Sequence, residues 1–127
     1  MGLLCVRHET ASAGLVRTRI EHDLVTDGIG PDCVADIMLV ATELVGNAVL
    51  HAKSTCDVGV TWDIGADTVV IRVRDDSTDA PRPREAGRDA TGGRGLAIVA
   101  ALADEWGVDQ EAGGKQVWAR IPVSRLR

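Results

Sequence analysis

The sequence has no phenylalanine and no tyrosine, and besides its histidines the aromatic side chains are Trp62, Trp106 and Trp118. Any core must therefore be closed by Val, Leu, Ile and Ala. Cysteine is sparse: Cys5, Cys33 and Cys56 are odd in number and widely spaced. They supply neither a disulfide framework nor a zinc pattern, which points to a reducing, cytoplasmic setting. An excess of positive charge is missing too, with a formal net charge of -5 and a pI near 5.1. This argues against nucleic acid as the main partner, because backbone phosphates need a basic surface. It does not exclude a single nucleotide, which needs only a local positive site. The N-terminus has no long apolar run, and nothing downstream is long enough to span a bilayer. There is no internal repeat and no low-complexity segment. One domain over residues 1–127 is the expectation, long enough to close a core.

What the chain does have is clear periodicity. Residues 3–6 form a short apolar run, read as an edge strand. A helical period follows over 11–27, with Leu15, Val16, Ile20 and Leu24 as its apolar positions. Asp27-Gly28-Ile29-Gly30-Pro31 then reads as a stop and a restart. The second helix spans 32–50 and buries Val34, Ile37, Met38, Ala41, Leu44, Val45 and Ala48.

The period then changes to alternation. Val58, Val60 and Trp62 define one half-buried strand, and 68–75 a second, with Val69, Ile71 and Val73 on one side. Gly65-Ala66-Asp67 is the turn between them. Periodicity is lost over 76–92, a stretch with Pro81, Pro83 and Gly87, read as a lid. A third helix at 96–103, a strand at 106–109, a turn at 111–114 and a last strand at 115–123 complete the chain. Trp118 points away from the core side, either as an interface residue or under a loop. This order predicts a two-layer α/β sandwich, a mostly antiparallel sheet with helices on one face.

Chemistry concentrates in three places. Glu43, Asn47 and His51 recur every four residues, so they form one polar stripe along the second helix. From spacing alone, a solvated face is the simpler reading. If the stripe is the floor of a nucleotide site, Asn47 offers a carbonyl oxygen to Mg²⁺, which usually takes one or two protein ligands beside phosphate. Glu43 can then act as a general base. His51 orients neighbours or caps the helix end. Asp75 ends a buried strand, where a carboxylate can accept a hydrogen bond from an exocyclic amine such as that of adenine. Gly93, Arg94, Gly95 and Leu96 sit at a helix start, where free N–H groups and the helix dipole attract phosphate. Arg94, Arg88 and Arg84 can add positive charge there.

Taken together, E43-L-V-G-N47-A-V-L-H51-A, V73-R-D75-D-S77 and G93-R-G95-L96 resemble the boxes of the GHKL (histidine-kinase-like) ATPase superfamily. The run from Gly92 through Trp106, followed by G113-G-K-Q-V-W118-A, is similar to the actinobacterial branch of the stand-alone anti-sigma-factor serine/threonine kinases. The resemblance covers nearly the whole chain and outweighs the solvated-face reading. It implies ATP and Mg²⁺ as ligands, Glu43 as catalytic base and Asn47 as the magnesium ligand. Asp75 would read adenine. Ser77, Arg88, His51, Gly93, Arg94, Gly95 and Leu96 would line the nucleotide. The partners implied are a sigma factor, which is sequestered, and a STAS-type antagonist, which is phosphorylated on serine, with homodimerisation common. The usual D-x-G-x-G box here reads Asp75-Asp76-Ser77-Thr78-Asp79, without its later glycines. Two other readings stand beside the kinase: a nucleotide-binding interaction module that transfers no phosphate, and an ATPase domain with an unrelated partner.

Overall fold

A computed structural model describes residues 2–6, 12–51, 58–75, 92–111 and 113–126. In chain order the elements are β1 (Gly2–Val6), α1 (Ser12–Thr26), α2 (Pro31–His51), β2 (Val58–Ile64), β3 (Thr68–Asp75), α3 (Gly92–Leu102), β4 (Glu105–Glu111) and β5 (Gly114–Pro122). The strands form one sheet in the order β1-β2-β3-β5-β4, with every neighbouring pair antiparallel. This is the expected two-layer α/β sandwich. Of the expected lid, residues 76–91 lie outside the described residues.

Alternation along the strands decides which face of the sheet is covered. Val58, Val60 and Trp62 of β2, Val69, Ile71 and Val73 of β3, and Val117, Ala119 and Ile121 of β5 are all buried. They meet Val16, Ile20 and Leu24 of α1, the apolar stripe of α2, and Val99 of α3 in one core. Leu15 does not join them and is 55% exposed. Val16, Ile20 and Leu24 follow one i, i+4 ridge, and Leu15 sits about 100° round from it. Val40 is fully buried although the helical stripe predicted from sequence leaves it out. The reason is that α2 has helices on both flanks, α1 and α3.

The stop between α1 and α2 works through backbone hydrogen bonds. Gly28 takes a positive φ of 80°. Its N–H donates to Val25 O at 3.1 Å, and Ile29 N–H donates to Leu24 O at 3.1 Å. This is a Schellman cap, closed by burial of Leu24 and Ile29 together. Gly30 O then accepts from Val34 N–H at 2.9 Å, with Pro31 in the first helical position, where its missing N–H costs nothing. Arg125 clasps this junction from the C-terminal side, pairing with Asp27 at 2.6 Å and donating to Gly65 O at 2.7 Å.

Trp62 is fully buried and donates its indole N–H to Asp23 at 2.8 Å, which ties β2 to α1. Trp118 lies on the other face of the sheet. Its indole covers Gly107 of β4, where an added Cβ would stand 3.0 Å from the ring. That face also carries ion pairs, Arg72 with Asp63 at 3.1 Å and Arg120 with Asp104 at 3.0 Å. The hydrogen bond to Asp104, helped by the charges of Asp104 and Glu105, raises Arg120 above its ordinary pKa. Among the described residues, no helix is long and apolar enough to cross a membrane.

Candidate functional site

The position of α2 determines where its polar stripe looks. It packs on α1 along one flank, on α3 along the other, and on β3 and β5 beneath. The flank facing α1 is marked by a groove lined by Ala35, Met38 and Thr42 together with Arg17, Glu21 and Val25 of α1. With 100° per residue, Asn47 and His51 lie on the opposite flank, beside the buried Val40 and Leu44. That flank faces α3. Glu43 sits about 40° from Asn47, toward the outside of the layer. Both Glu43 and Asn47 are half-buried, so neither belongs to a freely solvated face. Among the described residues, no hydrogen bond or ion pair holds either side chain.

α3 begins at Gly92, four residues ahead of the start expected at Leu96. Gly93, Arg94 and Gly95 therefore belong to the first turn of α3. Glycine is a weak helix former, and a sequence-based start falls at the first apolar residue. Packing of α3 on α2 supplies what the glycines lack. Leu96 is buried in the interior. Free N–H groups of such a turn, unencumbered by bulky side chains at two positions, are suited to an anion. His51 is the last residue of α2. Ser77 and Arg88 lie outside the described residues.

Asp75 is the last residue of β3 and faces the helix layer, 3% exposed. It has a partner that sequence reasoning missed. Lys115 of β5, 1% exposed, is its register neighbour and donates from Nζ to both carboxylate oxygens at 3.0 Å. A signal for this was present. Lys115 shares the inward parity of Val117, Ala119 and Ile121, so a charge stands at a core position. Its meaning depends on the pairing of β3 with β5, which lie 40 residues apart and which no local pattern joins.

The candidate residues thus stand on elements that touch: α2, which carries the amide and the acid, packs on β3, which ends in the buried acid, and on α3, which opens with the glycine-rich turn. Such a donor set fits a magnesium nucleotide. A single neutral amide suits a cation that keeps most of its waters, and the N–H groups of a helix start suit phosphate. No cluster of three or more His, Cys, Asp or Glu able to hold a metal by themselves occurs among the described residues.

Residues 6–121 match the family model of the histidine kinase-like ATPase domain. The chain belongs to that family. Among solved structures, the RsbU and RsbW domains of Rv1364c from Mycobacterium tuberculosis superpose with a TM-score of 0.69 at 24% identity, covering 99% of this chain and 34% of that one. The Acinetobacter baumannii histidine kinase AdeS superposes with a TM-score of 0.56 at 9% identity, over 98% of this chain and 69% of that one. At these identities the two structures share the fold with this domain. The chain spans about a third of the length of that solved two-domain chain. No curated protein matches it by sequence.

Proposed function

We propose that this domain is an ATP-dependent serine/threonine protein kinase of the anti-sigma-factor type. In this reading it is cytoplasmic, phosphorylates a STAS-type antagonist and sequesters a sigma factor. The observation that carries the reading is that Glu43 and Asn47, half-buried and untied among the described residues, stand on α2, the helix on which α3 with its glycine-rich first turn packs. Asn47 is the residue that would hold Mg²⁺, and Mg²⁺ would neutralise charge on the transferring phosphoryl group. The N–H groups of Gly93, Arg94 and Gly95 bind phosphate oxygens. Asp75 accepts from the adenine amino group. Glu43 takes the proton of the substrate serine hydroxyl as its oxygen bonds to the γ-phosphorus and the bond to the ADP oxygen breaks. His51 orients its neighbours at the end of α2, and Ser77 and Arg88 are further nucleotide-binding residues in this reading. Support for the sigma-factor side comes from the motifs of the sequence. A second copy of the chain is part of the same reading.

Calorimetric titration with ATP, with and without Mg²⁺ and with GTP as control, tests the site. Magnesium-dependent, adenine-selective binding is expected. Glu43→Gln should then keep ATP affinity while phosphoryl transfer to a STAS substrate falls about 10²- to 10⁴-fold, the usual share of a general base. Transfer at the wild-type rate would place the base elsewhere. Absence of transfer in the wild type, with binding intact, would leave a nucleotide-dependent interaction module.

A further inference from the structure

The outer side of the helix layer carries an apolar groove that no described element fills. It runs between α1 and α2, on the flank of α2 away from Asn47 and His51. Four large apolar side chains stand exposed among the described residues, and three of them line this groove: Val25 at 61%, Leu39 at 43% and Leu126 at 67% exposure. Apolar surface gathered in this way on a helix pair marks a contact with another protein.

The charges decide which protein. The chain carries a net charge of -5, so much of its surface repels a second copy. The groove differs. The charged residues of its lining, among those described, are Arg17 and Glu21, opposite in sign and both exposed. Among the described residues, no hydrogen bond or ion pair holds either side chain. They stand one turn apart on α1, about 6 Å along its axis. A two-fold axis crossing α1 between them, at the level of residue 19, sets Arg17 of each copy against Glu21 of the other. Such self-complementarity is what an isologous dimer requires.

α1 and α2 run antiparallel from their junction at Gly28, since Arg17 shares the groove with Thr42, while Val25 shares it with Ile29 and Val34. Counted from that junction, the level of residue 19 on α1 falls at residues 38–39 on α2. The same axis therefore passes beside Leu39, the exposed crest of α2, and brings it against Leu39 of the second copy. Charge and apolar contact agree on one axis.

We propose that the α1/α2 face is a dimer interface: the helix pair of one copy packs antiparallel on that of a second, closing a four-helix layer about Leu39 with reciprocal Arg17–Glu21 pairs. The inference rests on the second copy named in the reading above, not on its nucleotide site. The face lies across α2 from Asn47, so dimerisation leaves that flank uncovered.

Sedimentation velocity of the full chain, from low micromolar to near-millimolar concentration, reads the association. The wild type should dimerise. Leu39→Glu sets like charges at the axis, and Arg17→Glu or Glu21→Arg sets like charges across it, so each should raise the dimer dissociation constant roughly tenfold or more. The exchange Arg17→Glu/Glu21→Arg restores opposite signs and should dimerise as the wild type does. Circular dichroism checks that every variant keeps the fold. A dimer indifferent to all of them would place the interface elsewhere, which overturns this inference and keeps the second copy. Single variants that weaken the dimer with no recovery in the exchange would overturn the reciprocal geometry. A wild type monomeric throughout overturns the inference and the second copy together, and leaves the groove to a partner of another kind. Titration with Mg-ATP on the same samples is independent: a dimer that answers to these variants but binds no Mg-ATP would sink the kinase reading and leave this interface standing.

Discussion

Trp62 shows how much one polar contact matters in a core with so few aromatics. Its ring is fully buried, and its indole N–H, a donor with no acceptor capacity, is satisfied by Asp23 at 2.8 Å. Asp23→Ala leaves that N–H without its acceptor inside the protein. The cost of an orphaned buried donor is about 1–3 kcal/mol. Urea denaturation followed by tryptophan fluorescence should show the unfolding free energy lowered by that amount, seen as a lower midpoint with an unchanged slope. Asp23→Asn retains an acceptor oxygen and should recover most of the loss. If Asp23→Ala is as stable as the wild type, the hydrogen bond contributes nothing net and α1 is held to β2 by apolar contact alone. The contact could not be read from the chain: Asp23 and Trp62 stand 39 residues apart, and an Asp on an amphipathic helix looks like any solvated residue.

At the scale of elements, local pattern carried most of the fold. The period change after α2 marked the strands, β3 falls on the expected 68–75, and the Gly28 cap and Pro31 start mark the break between α1 and α2. What local pattern did not carry was set by neighbours. Val40 is buried because α3 covers that flank of α2, Leu15 is exposed because α1 meets the core along a single ridge, and α3 starts at its glycines because α2 supports it. The hairpin of β4 and β5 is another such case. Trp118, whose outward direction left its role open, lies across Gly107, so two adjacent strands are joined on the open face by a ring over a missing side chain. Gly107→Ala puts a methyl 3.0–3.1 Å from three ring atoms and must displace the indole. A loss of about 1–3 kcal/mol is expected from such overpacking, together with a changed near-ultraviolet circular dichroism signal from Trp118. An unaltered spectrum would mean that the ring shifts without cost and that the strands pair independently of it.

For the molecule as a whole, the candidate site was legible in part. Glu43, Asn47 and His51 were visible as a four-residue repeat, and the glycine turn of α3 as a motif, because each lies within one element. Lys115 was not, because its partner lies on another strand and only the completed sheet brings them face to face. The same division predicts how ligand and stability should be linked. If α2, β3 and α3 jointly hold Mg-ATP, the folded chain alone binds it, and binding must raise the unfolding temperature. At a ligand concentration 100 times Kd the stabilisation is about 2.7 kcal/mol. Asn47 is half-buried and, among the described residues, holds no hydrogen bond or ion pair. Truncating it should therefore cost little without ligand, within about 0.5 kcal/mol. Thermal unfolding of Asn47→Ala should match the wild type in buffer and lose the upward shift when Mg-ATP is added. A variant that keeps the full shift would remove Asn47 from the metal site while leaving the fold argument untouched. One already destabilised in buffer would show that the amide supports α2 against α3, and that its half-buried position serves packing between the helices.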